Sequence, residues 1–360
     1  MTESTIPYPR DEGQEVRVSA DDLHALLTAM LVKQSLFKFD ARTVAERMVE
    51  ADLRGIQSHG SRTIGRYLDA IDAGDIDPRA RVLTVSETPA VAVLDGSRAV
   101  GHVAATKAMT IAIEKAKDVG TGTVAVGNSQ HLGAASVYAL MAAREGLIGF
   151  CTTSTGRPTV AAFGSAQPAV ANNALAWAVP MGDDEPFVLD MACGATSWGK
   201  VESLKMYGQP LPGNVALDEA GEPTDDPAAA ATMLPAAGAR GFGLAFVASV
   251  LAGPLAGGVL PIHRKRTPTA DGSQHFFYAI DVSQFTDPAA FADQLRTAGE
   301  MIRDLAPVDG VESVRLPGDI EAACARQWRA EGIPLHRSHA EELEQRAAAL
   351  KVEVPWSTTA

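Results

Sequence analysis

Two runs of this chain, Pro158–Gly182 and Gly241–Ile262, carry no charged side chain, and each is long enough to cross a bilayer. Such a chain either spans a membrane or buries both runs. The first contains Gln167, Asn172, Asn173 and prolines, and the second contains five glycines with Pro254 and Pro261. Amides and helix breakers disfavour a lipid-facing helix, so buried strands or loops around a ligand are expected. With 46% hydrophobic and 21% charged residues, the rest of the chain has the apolar surface of an ordinary globular protein. Its 31 basic and 44 acidic side chains give a net charge of −13, which argues against nucleic-acid or anionic-membrane partners. Cys151, Cys193 and Cys324 form no CxxC pair and read as reduced thiols, and Met1–Gln14 lacks the apolar segment of a secretory signal. A cytoplasmic location is expected.

Ser19 followed by Asp22 predicts a helix N-terminus ahead of Leu23, Leu26, Leu27, Met30 and Leu31. A second helix is predicted to open at Asp40, with Val44, Met48, Val49 and Leu53 as its apolar stripe. A third should run from about Gly60 to Ala73. Beyond Pro78 the pattern turns to short apolar runs at 82–85 and 90–94, then a helix at 103–119. Buried strands are predicted at 123–126, 148–152 and 176–179, a strand at 276–282 after the Asp271-Gly272 turn, and a charged helix at 339–352. Alternating helices and strands indicate an α/β or α+β chain.

The sequence holds no GxGxxG after a strand, no GxxxxGK[ST], no GxSxG and no HExxH, so the usual nucleotide, esterase and zinc fingerprints are missing and no metal is expected. Polar groups instead interrupt apolar segments at three places. The first is Ala51-Asp52-Leu53-Arg54-Gly55-Ile56-Gln57-Ser58-His59-Gly60, where an imidazole could exchange protons near neutral pH. The second, Asn128-Ser129-Gln130-His131-Leu132-Gly133, follows a predicted strand and opens a helix, where free N–H groups suit an anion. The third is Asp190-Met191-Ala192, closing an apolar run and followed by Gly199-Lys200. Taken singly, each also fits a structural role.

In this order and spacing, ADLRGxxSHG, NSxHxG and DMA with GK resemble the type 2 malate/L-lactate dehydrogenase family. That family also includes ureidoglycolate dehydrogenase, sulfolactate dehydrogenase and the piperideine-2-carboxylate reductases. Further matches are Arg240-Gly241-Phe242-Gly243-Leu244, Gln274–Asp281 and Leu316-Pro317-Gly318-Asp319, so the likeness runs from about Val18 to Leu335. It implies a non-Rossmann α/β fold in three parts. These are an N-terminal helical part (15–76) carrying the catalytic histidine, a dimerisation domain (77–120 with 300–360), and a central nicotinamide-binding domain (121–299). It also implies a homodimer that interconverts small 2-hydroxy and 2-oxo acids, or else an NADPH-dependent reductase of cyclic imino acids; a binding protein without turnover is a minor alternative.

By the same resemblance, His59 exchanges the substrate proton, Asp190 orients that histidine beside the cofactor, and His131 is a second catalytic or binding histidine. Thr155, Arg157, Asp190, Met191, Ala192, Arg240, Gly318 and Asp319 fall at cofactor-contact regions, and Ser58, Arg62 and Tyr67 at the substrate. The chain departs from its relatives in several places. Thr63 stands four residues after His59, where many relatives have Arg, leaving Arg62 or Arg66 as the candidate anion ligand. Trp198 replaces a frequent Arg, and Cys193-Gly194 replaces small hydroxyl residues; Cys193 is expected to pack rather than react. Arg157 stands where NAD-using ureidoglycolate dehydrogenases carry Asp. A guanidinium there suits a 2′-phosphate, so NADP is expected over NAD, with NAD the alternative.

Overall fold

The computed structural model describes residues 10–264 and 272–356. Asp271 of the expected turn and residues 1–9 of the N-terminus lie outside them. Helices α1 (Ala20–Lys33) and α2 (Lys38–Leu53) form where their apolar stripes require. The Ser19 hydroxyl accepts from the Asp22 N–H at 3.0 Å, the expected cap. α2 starts two residues before Asp40, without a side-chain cap.

The third predicted helix differs. Gln57–His59 and Ser61–Thr63 are two short 3₁₀ turns, and α3 begins only at Ile64, ending at Asp72. The cause is local. The Ser61 N–H is drawn 2.8 Å onto the Asp52 carboxylate, and the Thr63 N–H and hydroxyl both close on the Gly60 carbonyl. The i→i−4 ladder therefore cannot start there.

Strand β1 (Glu15–Val18) pairs antiparallel with β14 (Ile333–His336), which ties the end of the chain to its beginning. The closing helices α9 (Asp319–Glu331) and α10 (Arg337–Ala349) thereby contribute Trp328 and Leu343 to one core with Leu23, Leu27, Met30, Met48 and Tyr67.

A seven-stranded sheet carries the second core. Its spatial order is β2 (Leu83–Glu87), β3 (Val91–Asp95), β4 (Thr121–Ser129), β13 (Ser273–Asp281), β5 (Leu147–Thr155), β8 (Ala174–Met181) and β9 (Asp184–Ala192). Only β3 and β4 run parallel. The late strand β13 zips between β4 and β5, and Phe277 at its middle is fully buried against Tyr138. α4 (Gly101–Val119) and α5 (Ser136–Ala143) cover this sheet. Gly122 allows that approach, because a methyl group there would overlap the Ala112 carbonyl.

The first charge-free run supplies buried strands, as expected: β8 and part of a second, five-stranded sheet. That sheet has the order β11 (Pro223–Thr224), β10 (Ala216–Leu217), β12 (Thr232–Met233), β6 (Val160–Ala161) and β7 (Pro168–Val170). α6 (Trp198–Met206) packs its Val201 and Leu204 into the core of this sheet. The second run is a correction: it folds as helix α7 (Ala239–Leu251) and two 3₁₀ turns, not as strands or loops. Phe246, Val247 and Val250 stay exposed on it. The window Ala239–Ala256 is apolar and long enough to cross a membrane by length and composition, and 39% of it is buried in the fold. The α-helical part holds 13 residues before the break at Gly253-Pro254, roughly 20 Å at 1.5 Å per residue against a hydrocarbon core of about 30 Å. α8 (Pro288–Arg303) lies along β8.

Candidate active site

The 3₁₀ turns 57–63, the β4–α5 loop, the ends of β5 and β9, the start of α6 and the small sheet enclose a cleft of about 1710 Å³. That exceeds the several hundred cubic ångströms one drug-sized ligand fills, leaving room for a cofactor and a substrate. His59, His131 and Asp190 all face it, with Ser58, Thr155, Arg157 and Ala192. The turn carrying His59 is gripped by backbone on two sides. A methyl group at Gly199 would overlap the Ser58 side chain, and one at Gly133 would stand 3.1 Å from the His59 carbonyl and 2.6 Å from His102 Nε2. The Gln57 amide also donates to the Pro334 carbonyl at 2.6 Å.

The His59 and His131 rings stack with centroids 5.6 Å apart. Burial holds the His59 imidazole below its ordinary value; Asp190 pulls upward, and Arg66 and Arg62 push further down. The two groups share no hydrogen bond among the described residues, so Asp190 acts on His59 through space. Its Oδ2 accepts instead from the Ser136 N–H at 3.0 Å. The helix start near His131, expected to offer free N–H groups, thus begins five residues later and has Asp190 on its first N–H.

Burial, with Arg66 and three neighbouring histidines, pushes His131 well below the usual range. Tyr67 is 1% exposed, and its phenol is pushed up to about 12 by burial, so it keeps its proton. Its hydroxyl lies 2.7 Å from His131 Nδ1, toward which the Gly133 N–H also points at 3.4 Å. Nδ1 therefore accepts, Nε2 carries the proton, and a neutral N–H donor is left for the cleft.

Several expected site residues stand elsewhere. Arg62 turns away from the cleft and donates to Ser203 Oγ at 2.7 Å, because residues 61–63 do not follow α-helical spacing; Arg66, on α3, lines the cleft instead. Tyr67 lies behind His131 rather than on the cleft wall. Met191 alternates to the opposite face of β9 from Asp190 and Ala192. Arg240 sits exposed at the start of α7, outside the cleft lining. Asp319 is committed to Arg303 at 2.7 and 2.8 Å and to the Leu316 N–H, while Gly318, at φ +95°, packs on Val188. Lys200, Glu202 and Arg264 complete the wall. Arg264 is 6% exposed and donates to the Ser154 and Gly156 carbonyls, which nothing in its polar sequence neighbourhood announces. Burial pushes Cys193 up to about 12, consistent with a packing role. Among the described residues, no group of His, Cys, Asp and Glu could hold a metal.

A non-Rossmann α/β chain with two neutral imidazoles, a carboxylate and cationic side chains in one cleft is equipped to move a proton on a small anion. The comparisons give that chemistry its family. The malate/L-lactate dehydrogenase profile matches residues 18–344. The malate dehydrogenase of Pyrococcus abyssi is 34% identical over 349 residues, covering 94% of this chain and 96% of that protein. The ureidoglycolate dehydrogenase (NAD(+)) of Escherichia coli O157:H7 is 33% identical over 328 residues, covering 89% and 93%. The crystal structure of the delta1-piperideine-2-carboxylate reductase of Pseudomonas syringae superposes with a TM-score of 0.81 at 25% identity, covering 92% of this chain and 100% of that one. The chain belongs to the malate/L-lactate dehydrogenase family, and it is an oxidoreductase acting on CH–OH groups.

Tyr67→Phe should free His131 to populate its other tautomer and cost about 1 kcal/mol of stability. The ¹⁵N shifts of the ring report it; unchanged shifts contradict the assignment.

Proposed function

We propose that the protein interconverts a small 2-hydroxy acid and its 2-oxo acid with NADP, His59 taking and returning the substrate proton. The observation that carries this reading is the pairing of His59 and His131 on one wall of a cleft with Arg66 beside them. When bound, the nicotinamide ring exchanges the hydride with the substrate carbon. A neutral His59 can accept the hydroxyl proton as a carbonyl forms, and Asp190 stabilises the imidazolium through space. His131 Nε2–H is directed to hydrogen-bond the substrate oxygen or carboxylate. Arg66 forms no hydrogen bond or ion pair with the described residues, and it is the cation we assign to the substrate carboxylate in place of Arg62.

The cleft also fits the dinucleotide. Thr155, Arg157, Pro158 and Thr159 line one end of it, and the Arg157 guanidinium, exposed there, would hold a 2′-phosphate, with Asp190 and Ala192 beside the nicotinamide. The likeness to a piperideine-2-carboxylate reductase supports a second reading, reduction of a cyclic imino acid, in which His59 would deliver its proton to nitrogen.

We further assign a homodimer and, with it, the division into 15–76, 77–120 with 300–360, and 121–299. Apolar side chains left in solvent support self-association. All five residues of edge strand β2 are exposed, with Leu83 at 54% and Val85 at 66%, as are Phe246 and Val247 on α7.

Three outcomes are expected. His59→Ala lowers kcat by about 10²–10⁴-fold while NADPH binding, read by fluorescence, persists; near-normal turnover removes His59 from the reaction. Arg157→Asp lowers kcat/KM with NADPH by about ten- to a hundredfold relative to NADH, the worth of one charge-assisted contact; an unmoved ratio, or a wild-type preference for NADH, shows that Arg157 does not read the ribose. Sedimentation equilibrium gives twice the chain mass of 37.7 kDa; a monomer at working concentration overturns the dimer.

A further inference from the structure

Beneath the turn that carries His59 lies a buried polar chain to which the reaction above gives no role. Asp52, in the last turn of α2, is 0% exposed. Its Oδ2 accepts from the Ser61 N–H at 2.8 Å; Oδ1 has no partner among the described residues. Gly60 lies directly on this carboxylate, where a methyl group would overlap Oδ1. At φ −96° Gly60 needs no special backbone freedom, so the glycine serves this approach alone. Ser61 Oγ in turn lies 3.0 Å from Nε2 of His339, which is 5% exposed at the start of α10. Ser61 therefore links the two groups, its backbone N–H on the Asp52 carboxylate and its Oγ against His339 Nε2, joining α2, α10 and the turn two residues from His59.

An apolar core would hold the same turn without this cost. Buried ionisable groups are retained where they set a geometry rather than where they add stability. We propose that Asp52 is a positioning residue: its ionised carboxylate, through Ser61 and His339, holds the 57–63 turn at the height that presents His59 to the substrate. The inference rests on the reading of His59 as the proton-transfer group.

The surroundings determine when the clamp is charged. Burial raises the Asp52 carboxyl from 3.8 to about 7; the Ser61 hydrogen bonds and Arg62 pull the other way. The other titratable group facing the chain, His339, is held neutral, pushed down to about 3 by burial, with Arg62 and His336 adding to it. Because the Asp52 value is raised in the fold, its ionisation opposes folding. The carboxyl favours the fold most below pH 3.8, and the penalty grows as pH rises from 3.8 through about 7. Reduction of a 2-oxo acid should therefore need Asp52 ionised, near 7, and His59 protonated, below 6.5, whereas oxidation of the hydroxy acid needs both deprotonated.

The test uses the full chain, NADPH, and pyruvate and oxaloacetate as probes. Asp52→Asn keeps the shape and removes the charge. It should lower kcat about tenfold or more, leave NADPH binding unchanged, and remove the acid limb that follows Asp52 while the alkaline limb that follows His59 stays. Its Tm relative to wild type should climb between pH 4 and 7, which a neutral packing role would not produce. Ser61→Ala keeps the carboxylate and the backbone N–H and removes only the bridging hydroxyl. It should lower kcat severalfold and shift the His59 ring signals in a ¹H–¹⁵N titration. Ser61→Ala with wild-type kcat, pH profile and His59 signals overturns the proposal, whether or not Asp52→Asn folds. If the wild-type chain turns over neither probe, the His59 titration still decides the clamp, so failure of the reaction and failure of the clamp are read separately.

Discussion

Close packing around one seven-residue turn governs this active site. Residues 57–63 carry His59, and three neighbours reach them only where a side chain is missing: Gly199 against Ser58, Gly133 against the His59 carbonyl, and Gly60 against Asp52. Protein interiors resist small volume changes, so a turn fixed by such contacts cannot drift by the fraction of an ångström that proton transfer punishes. The elements that make the contacts come from distant parts of the chain: α2, the β4–α5 loop, α6 and α10. The β1–β14 pair, which returns the chain's end to its beginning, brings α10 under the turn.

The same burial determines the protonation states. Four imidazoles lie in and behind the cleft wall, and each is pushed below its ordinary value with burial as the first cause: His59, His131, and His102 and His275 at about 3. His275 is tied to Thr153 Oγ1, Ser129 and the Gln130 carbonyl, whereas both ring nitrogens of His102 lack partners among the described residues. A cluster of neutral rings leaves the positive charge in the cleft to Arg66, Arg157 and Lys200, with Arg264 tied to the Ser154 and Gly156 carbonyls, and none of these groups competes for the substrate proton.

Much of this was legible in the residues. Helical and alternating periodicity located α1, α2, α4 and the long strands, because each buries a continuous apolar face. The order of the SHG, NSxHxG and DMA segments identified the family, and His59, His131 and Asp190 do meet in one cleft. What escaped depends on contacts between distant positions. Arg62 was read by α-helical spacing, but the Ser61 N–H bond to Asp52 breaks that spacing before it begins. Met191 was grouped with Asp190, although a strand sends neighbours to opposite faces. Asp319 looked available until Arg303, sixteen positions away in sequence, was folded onto it. The two- and three-residue strands of the small sheet are too short to leave a pattern, and α7 hid within an uncharged run whose glycines suggested a loop.

The central claim is the reaction itself. Its most direct test follows nicotinamide absorbance as the purified chain meets pyruvate, oxaloacetate, glyoxylate and piperideine-2-carboxylate with each reduced cofactor. The account predicts oxidation of the cofactor with at least one 2-oxo acid, faster than with the cyclic imine and faster with NADPH than with NADH. Turnover of the imine alone would contradict the hydroxy-acid assignment, and no turnover of any 2-oxo acid with either cofactor would contradict the account as a whole.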